Sequence, residues 1–401
     1  MRQVMHTTLT RIFRLVLAIA SWAGCSPPDR LPAVPADLQD QAEVVGLPGV
    51  RYMTSESGLP ALIREGQESV RREQEALAQA GHRGPMPPAH YLALSGGGDN
   101  GAFSVGLLNG WTAAGTRPEF KLVTGISTGA LVAPFAFLGS KHDAEIKEIF
   151  TGVSSKDVLS KRSFLAAVLD DAMADNKPLW GLTKKYVTEQ ILSEIAAEYA
   201  KGRILLVATT NLDAQRGVIW NMGKIAASGH PKALDLFHSI LIASSALPAA
   251  FPPVLIDVEA KGRRFQEMHV DGGATAQVFV YPASFHIREV AAAAGIQRER
   301  RLYVVRNARL DPGWAEVERR TMSIASRAIA SLIQMQGRGD LFRIFALAER
   351  DQVDFNLAYI PESFNAPHKE EFDNEYMRQL YQVGYDLAKN GYPWAKKPPG
   401  V

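Results

Sequence analysis

Three short stretches bring together residue types that can do acyl chemistry. Gly125-Ile126-Ser127-Thr128-Gly129 sets a serine between two glycines, with the β-like run Phe120 to Thr124 before it and the apolar run Ala130 to Leu138 after it. That is the strand-to-helix context of a nucleophile elbow: Gly125 and Gly129 remove side chains that would collide around a sharp turn, so Ser127 can project at the top of a sheet. About 30 residues earlier, His90 to Leu94 runs into Ser95-Gly96-Gly97-Gly98-Asp99-Asn100-Gly101. Consecutive glycines leave backbone N–H groups unobstructed and a following helix adds its positive end, so such a turn suits an anion. A phosphate loop, an oxyanion hole and a plain tight turn all fit that description. No Gly-Lys-Ser/Thr follows, which excludes the Walker pattern. Gly96, Gly98 and Gly101 satisfy G-x-G-x-x-G, yet the acid that a dinucleotide site needs at the end of the next strand is missing, because Glu119 precedes that strand. The third stretch, Met268-His269-Val270-Asp271-Gly272-Gly273, ends a strand on an aspartate, which is either a base or a turn former.

These residues need a scaffold. Two adjacent parallel strands would bring the glycine loop and Ser127 to the same carboxyl edge, where α/β sites form. Ala243 to Pro253 reads as a proline-rounded apolar loop able to line an acyl pocket. Leu302 to Arg306 reads as a buried strand, and Ala325, Ala328, Ile329, Leu332 and Ile333 repeat at helical spacing, as expected of a helix completing the same core. Residues 369–390 read as a further helix whose stripe of Phe372, Tyr376, Leu380, Val383 and Leu387 packs inward. With 44 Lys+Arg against 42 Asp+Glu, the net charge of +2 gives no field that would hold nucleic acid by basicity. The single cysteine, Cys25, permits neither an internal disulfide nor a multi-cysteine metal site.

The blocks together resemble the patatin-like phospholipase family: a glycine-triplet loop, a G-x-S-x-G serine, the segment Ser244-Ser-Ala-Leu-Pro248-Ala-Ala-Phe251-Pro252-Pro253, and a late Asp271-Gly-Gly. The resemblance spans about residues 90–285. It implies a three-layer α/β/α sandwich with a mainly parallel central sheet, Ser127 as nucleophile, Asp271 as its dyad partner, and the N–H groups of Gly96, Gly97 and Gly98 as oxyanion hole. It implies no metal or organic cofactor, and a lipid or ester substrate cleaved through an acyl-serine. Asn100 stands where the family carries a lysine or arginine. A free aspartate near pKa 3.9 is a poor base for a serine, so Asp271 is expected to be desolvated. His269, His286 and His368 are the candidates for a three-membered triad, against which the resemblance implies a dyad. The rival readings are a non-catalytic envelope lipoprotein that binds lipid or a partner on this fold, and a dinucleotide enzyme.

The N-terminus reads as an address. Arg2, Arg11 and Arg14 precede the apolar run Leu15 to Ala23, then Gly24 and Cys25. Ala23-Gly24-Cys25 resembles the lipobox of bacterial lipoproteins, with Trp22 where that pattern prefers leucine. This implies lipidation of Cys25, export, and anchoring in the cell envelope, with Ser26 pointing to the outer membrane. The expected organisation is therefore a signal over residues 1–25, a Pro-rich tether and charged helix over 26–89, the hydrolase core over 90–285, and strands and helices completing it over 286–401.

Overall fold

The computed structural model describes residues 30–158, 160–161, 172 and 174–401. Residues 1–25, expected to be a signal ending at Cys25, lie outside the described residues. A ten-stranded sheet organises the chain. Its strands are β1 (Glu43–Val44), β2 (Arg51–Met53), β3 (Ala89–Leu94), β4 (Leu122–Gly125), β5 (Ile204–Asn211), β6 (Arg216–Asn221), β7 (Val254–Ala260), β8 (Arg263–Asp271), β9 (Arg300–Arg306) and β10 (Asp354–Tyr359). The centre runs parallel in the order β5-β4-β3-β9-β10, and antiparallel strands extend it beyond β5. This is the mixed, mainly parallel α/β sheet that the family resemblance implies.

Both faces of the central strands are covered, so their side chains divide by parity. Leu92, Leu94, Val123, Leu205, Val207 and Val305 join one core. Tyr91, Ala93, Leu122, Leu206, Leu302 and Val304 join the other. The first core is capped by α2 (Gly101–Ala113), α3 (Thr128–Leu138), α5 (Ala233–Ser244) and α7 (Asn374–Lys389); the second by α1 (Leu59–Gln79) and the C-terminal half of α6 (Thr321–Asp351). A further helix, α4 (Glu189–Ala200), packs against α3 in the first core.

Three expectations are revised. Within the stretch read as a tether, Val34, Leu38, Ala42, Val44, Leu47 and Val50 are buried, and β1 pairs with β7. The prolines keep its elements short without preventing the interleaved apolar residues from packing. Of the stripe expected to pack inward at the C-terminus, Leu380 is buried and Phe372, Tyr376 and Leu387 pack half-buried against the first core. The most buried positions of α7 are instead Met377, Leu380, Tyr381, Gly384 and Ala388, because the helix crosses α2 at very close range. A Cβ on Gly106 or Gly110 of α2 would fall 2.0 Å or 2.1 Å from the carbonyl oxygens of Tyr381 and Tyr385. Finally, Ala325, Ala328, Ile329 and Leu332 are exposed and Ile333 only half-buried, since α6 lies on the sheet only from Gly337 onward.

Candidate active site

The register explains how Ser127 and Asp271 meet. Leu94 pairs with Gly125, so the glycine loop and the serine turn leave neighbouring strands at one level. Strand β4 occupies one edge of β5 along Ile204 to Val207, and β6 occupies the opposite edge along Leu206 to Asn211. Strand β8 pairs with Thr209 to Asn211, so it must share the edge held by β4 and arrive from the opposite direction. The two strands therefore meet tip to tip, with Gly125 opposite Val207 and Asp271 opposite Thr209.

Crowding makes the elbow glycines obligatory. A Cβ on Gly125 would lie 2.4 Å from the Gly129 oxygen, and one on Gly129 would lie 2.4 Å from the Leu94 oxygen. Ser127 itself sits at φ 54° and ψ −126°, a strained conformation for a residue with a side chain. Its N–H donates to Ser244 Oγ at 3.0 Å, and that hydroxyl donates to the Ala208 carbonyl at 2.7 Å. Ser244, which opens the Ser-x-x-x-Pro segment, thus ties the elbow to β5, a role that its sequence position alone does not signal. Beyond it the Leu247 to Pro253 loop lies near the site, since Asp271 N–H donates to the Ala246 carbonyl at 2.9 Å.

Asp271 is 4% exposed. Gly273 N–H donates to its Oδ1 at 2.7 Å, and the Ser127 side chain lies close enough to favour the ionised carboxylate. Burial pushes its pKa up to about 6, against the lowering effect of those two groups.

The glycine loop lies directly over the serine. A Cβ on Gly96 would come 3.1 Å from Ser127 Cβ. Gly96 N–H, however, donates to the Gln277 carbonyl at 3.0 Å, so it is not free to meet an oxyanion. Gly97 and Gly98 N–H have no acceptor among the described residues, which narrows the expected three donors to two. Asn307 holds the loop from below, its N–H donating to Ser95 Oγ at 2.8 Å and its Nδ2 donating to the Ser95 carbonyl at 2.9 Å. At the position of the family's basic residue, Asn100 Oδ1 accepts from the Tyr376 hydroxyl at 2.6 Å.

The histidines are engaged elsewhere. His269 is fully buried between Thr209 Oγ1 at 2.8 Å and Glu267 Oε2 at 3.1 Å, and Glu267 also pairs with Arg51. Burial favours neutral His269; burial also opposes ionisation of Glu267, but the His269 hydrogen bond and the Arg51 charge outweigh it and hold that carboxyl at about 2. His286 pairs with Glu289 at 3.1 Å and His368 with Asp99 at 2.6 Å. None of the three is hydrogen-bonded to Ser127 or Asp271. A cavity of about 120 Å³, lined by Leu62, Leu206, Ile219 and Phe285, opens at the opposite end of the strands and does not reach Ser127.

A strained serine on a strand-to-helix turn of a covered, mainly parallel sheet, beneath loop N–H groups, is the arrangement of a nucleophile elbow. Residues 92–284 match the patatin-like phospholipase family, and over that stretch the chain carries a domain of the family. Among solved structures, VipD from Legionella pneumophila is 14% identical over 76% of this chain and 66% of that one, with a TM-score of 0.36. The type III effector protein ExoU is 14% identical over 76% of this chain and 54% of that one, with a TM-score of 0.21. This chain thus spans less than two thirds of either protein. No curated protein matches it.

Proposed function

We propose that this protein is a serine acyl hydrolase cleaving carboxylic esters of lipids through an acyl-serine. The observation that carries this reading is the strained Ser127 on its strand-to-helix turn beside a buried Asp271, whose burial raises its pKa to about 6. Ser127 Oγ bonds to the ester carbonyl carbon while its proton passes to Asp271, and the carbonyl oxygen takes up negative charge facing the Gly97 and Gly98 N–H groups. Collapse breaks the ester C–O bond and the departing alcohol takes the proton from Asp271. Water then attacks the acyl-serine, again through Asp271, and a fatty acid leaves. The test is labelling of the purified protein with a fluorescent fluorophosphonate, beside fatty-acid release from mixed phospholipids. A folded protein that does neither would remove the reading.

The loop donors carry their own prediction. A Cβ on Gly97 would lie 2.3 Å from the Asn307 carbonyl oxygen, so Gly97→Ala must push the loop off its support. Loss of aligned donors is expected to lower kcat by about 10²- to 10³-fold. Steady-state hydrolysis of a soluble ester measures it; an unchanged kcat would mean that the oxyanion is held elsewhere.

The lipobox-like N-terminus supports an exported protein anchored through Cys25, because two or more acyl chains hold a protein at a bilayer where one does not. Cys25→Ala is expected to abolish metabolic incorporation of a labelled fatty acid and to move the protein from the membrane fraction to the soluble fraction. Equal incorporation by the variant would overturn the anchor.

A further inference from the structure

Helix α6 is built inside out over its first half. At about 100° per residue, Met322, Ile324, Ile329, Leu332 and Met335 fall on one half of its circumference. The other half carries Ser323, Arg327, Ser331 and Gln334. In a helix that packs on a core, the apolar half faces the protein. Here it is the other half that touches the protein: Ser323, Arg327, Ile333 and Gln334 are half-buried, while Ser331 is exposed. Gln334 Nε2 donates to the Arg309 carbonyl at 2.9 Å, and the Arg327 guanidinium donates to the Gly313 carbonyl. The five apolar side chains are left between 51% and 71% exposed, and Trp314, just before the helix, is 89% exposed. An apolar surface of this kind marks a contact that is formed with something else.

Charge and position identify that contact. Within residues 314–336 the chain carries Arg319, Arg320 and Arg327 against Glu316 and Glu318, with Arg320 paired to Glu318 at 3.4 Å; both acids precede the helix, and from Arg319 to Gly339 there is none. An amphipathic helix with basic residues beside a broad apolar face suits the interface of an anionic bilayer. The helix also leads to the candidate site: Gln336 Oε1 accepts from Gln277 Nε2 at 3.1 Å, and the same Nε2 donates to the Gly273 carbonyl at 2.8 Å, two residues after Asp271. We infer that residues 314–336 are the element by which the protein docks on an anionic phospholipid surface, with the exposed face of α6 entering the headgroup region and the mouth of the site held against the lipid. The inference rests on the lipid-hydrolase reading for its purpose, although docking itself needs no catalysis.

Flotation with vesicles tests it. Full-length protein carrying Cys25→Ser, so that no acyl anchor contributes, is mixed with vesicles of phosphatidylcholine alone or with about 30% phosphatidylglycerol, a surface that attracts basic segments. Ile329→Ser/Leu332→Ser and Arg319→Glu/Arg320→Glu are compared with it. The parent is expected to prefer the anionic vesicles. The serine pair should reduce that binding by at least about tenfold, and the glutamate pair should remove the preference. Hydrolysis of a soluble short-chain ester should be unchanged in both, while release of fatty acid from vesicles falls in step with binding. Equal flotation of the serine pair overturns the inference, as does a dimer in sedimentation that the serine pair dissolves while vesicle binding persists. A parent that floats but never hydrolyses the soluble ester would leave docking standing and remove the hydrolase reading instead.

Discussion

Replacing Ser127 by alanine is expected to abolish fluorophosphonate labelling and to lower fatty-acid release by at least about 10⁴-fold, with the folded state retained. The size of the loss follows from the step removed: the carboxylate loses the hydroxyl whose proton it takes, and among the described residues no other side chain is hydrogen-bonded to it. A companion substitution separates chemistry from architecture. Ser127 lies at φ 54°, where a Cβ is strained and glycine is not. Relief of about 1–3 kcal/mol of strain, less the extra backbone entropy that glycine loses on folding, should leave Ser127→Gly more stable by about 1 kcal/mol. Urea denaturation of the two variants beside the parent measures this. If Ser127→Gly were inactive and no more stable than Ser127→Ala, the strain would not be stored at this residue; if Ser127→Ala kept full turnover, the nucleophile would lie elsewhere.

What could be read from the chain follows from how local each constraint is. The elbow was legible because its geometry is enforced within five residues, Gly125 and Gly129 each yielding space to a backbone oxygen at 2.4 Å. Asp271 was legible as a residue type at a strand end, but not its route to Ser127. That route depends on β8 pairing with the free part of the β5 edge just beyond β4, a contact between segments more than 50 residues apart. The loss of Gly96 as a donor had no local signal either, because its acceptor is the carbonyl of Gln277. Periodicity located a helix over Ala325 to Ile333 but not the face by which it is held. It could not say that the half carrying Arg327 and Gln334 would be the one fastened to the Arg309 to Gly313 loop. At the crossing of α2 and α7 the closest approach is made by Gly106, Gly110 and Gly384, so a search for large apolar residues looks past the closest contact. The N-terminal prolines ruled out long elements, and from that alone a tether follows; the burial of Val34, Leu38 and Val50 between them is a tertiary outcome.

Asp271→Asn should have two opposite effects, and their combination is what a buried general base requires. Activity should fall by about 10³- to 10⁴-fold, because an amide cannot accept the serine proton. Stability should rise at neutral pH. Burial raises the carboxyl from 3.8 in the unfolded chain to about 6 in the folded protein, so the folded state binds the proton more tightly. The stability that this proton binding contributes is fully present below pH 3.8 and is lost as pH rises through about 6. A shift of roughly two units corresponds to about 3 kcal/mol by linkage, an upper bound because the amide must keep the same bonds. It can do so: its oxygen can accept from Gly273 N–H and its nitrogen can donate to Ser127 Oγ. The variant should therefore gain little at pH 4 and about 1–3 kcal/mol at pH 8 in urea denaturation. In the parent the same ionisation sets the rate, so kcat/KM should climb with pH and level off above about 6, the value burial gives Asp271. An inactive variant with no gain at pH 8 would mean that Asp271 is solvated enough to ionise freely. A parent whose kcat/KM is flat from pH 5 to 8, in a range set by roughly one unit on either side of that pKa, would mean that another group accepts the proton.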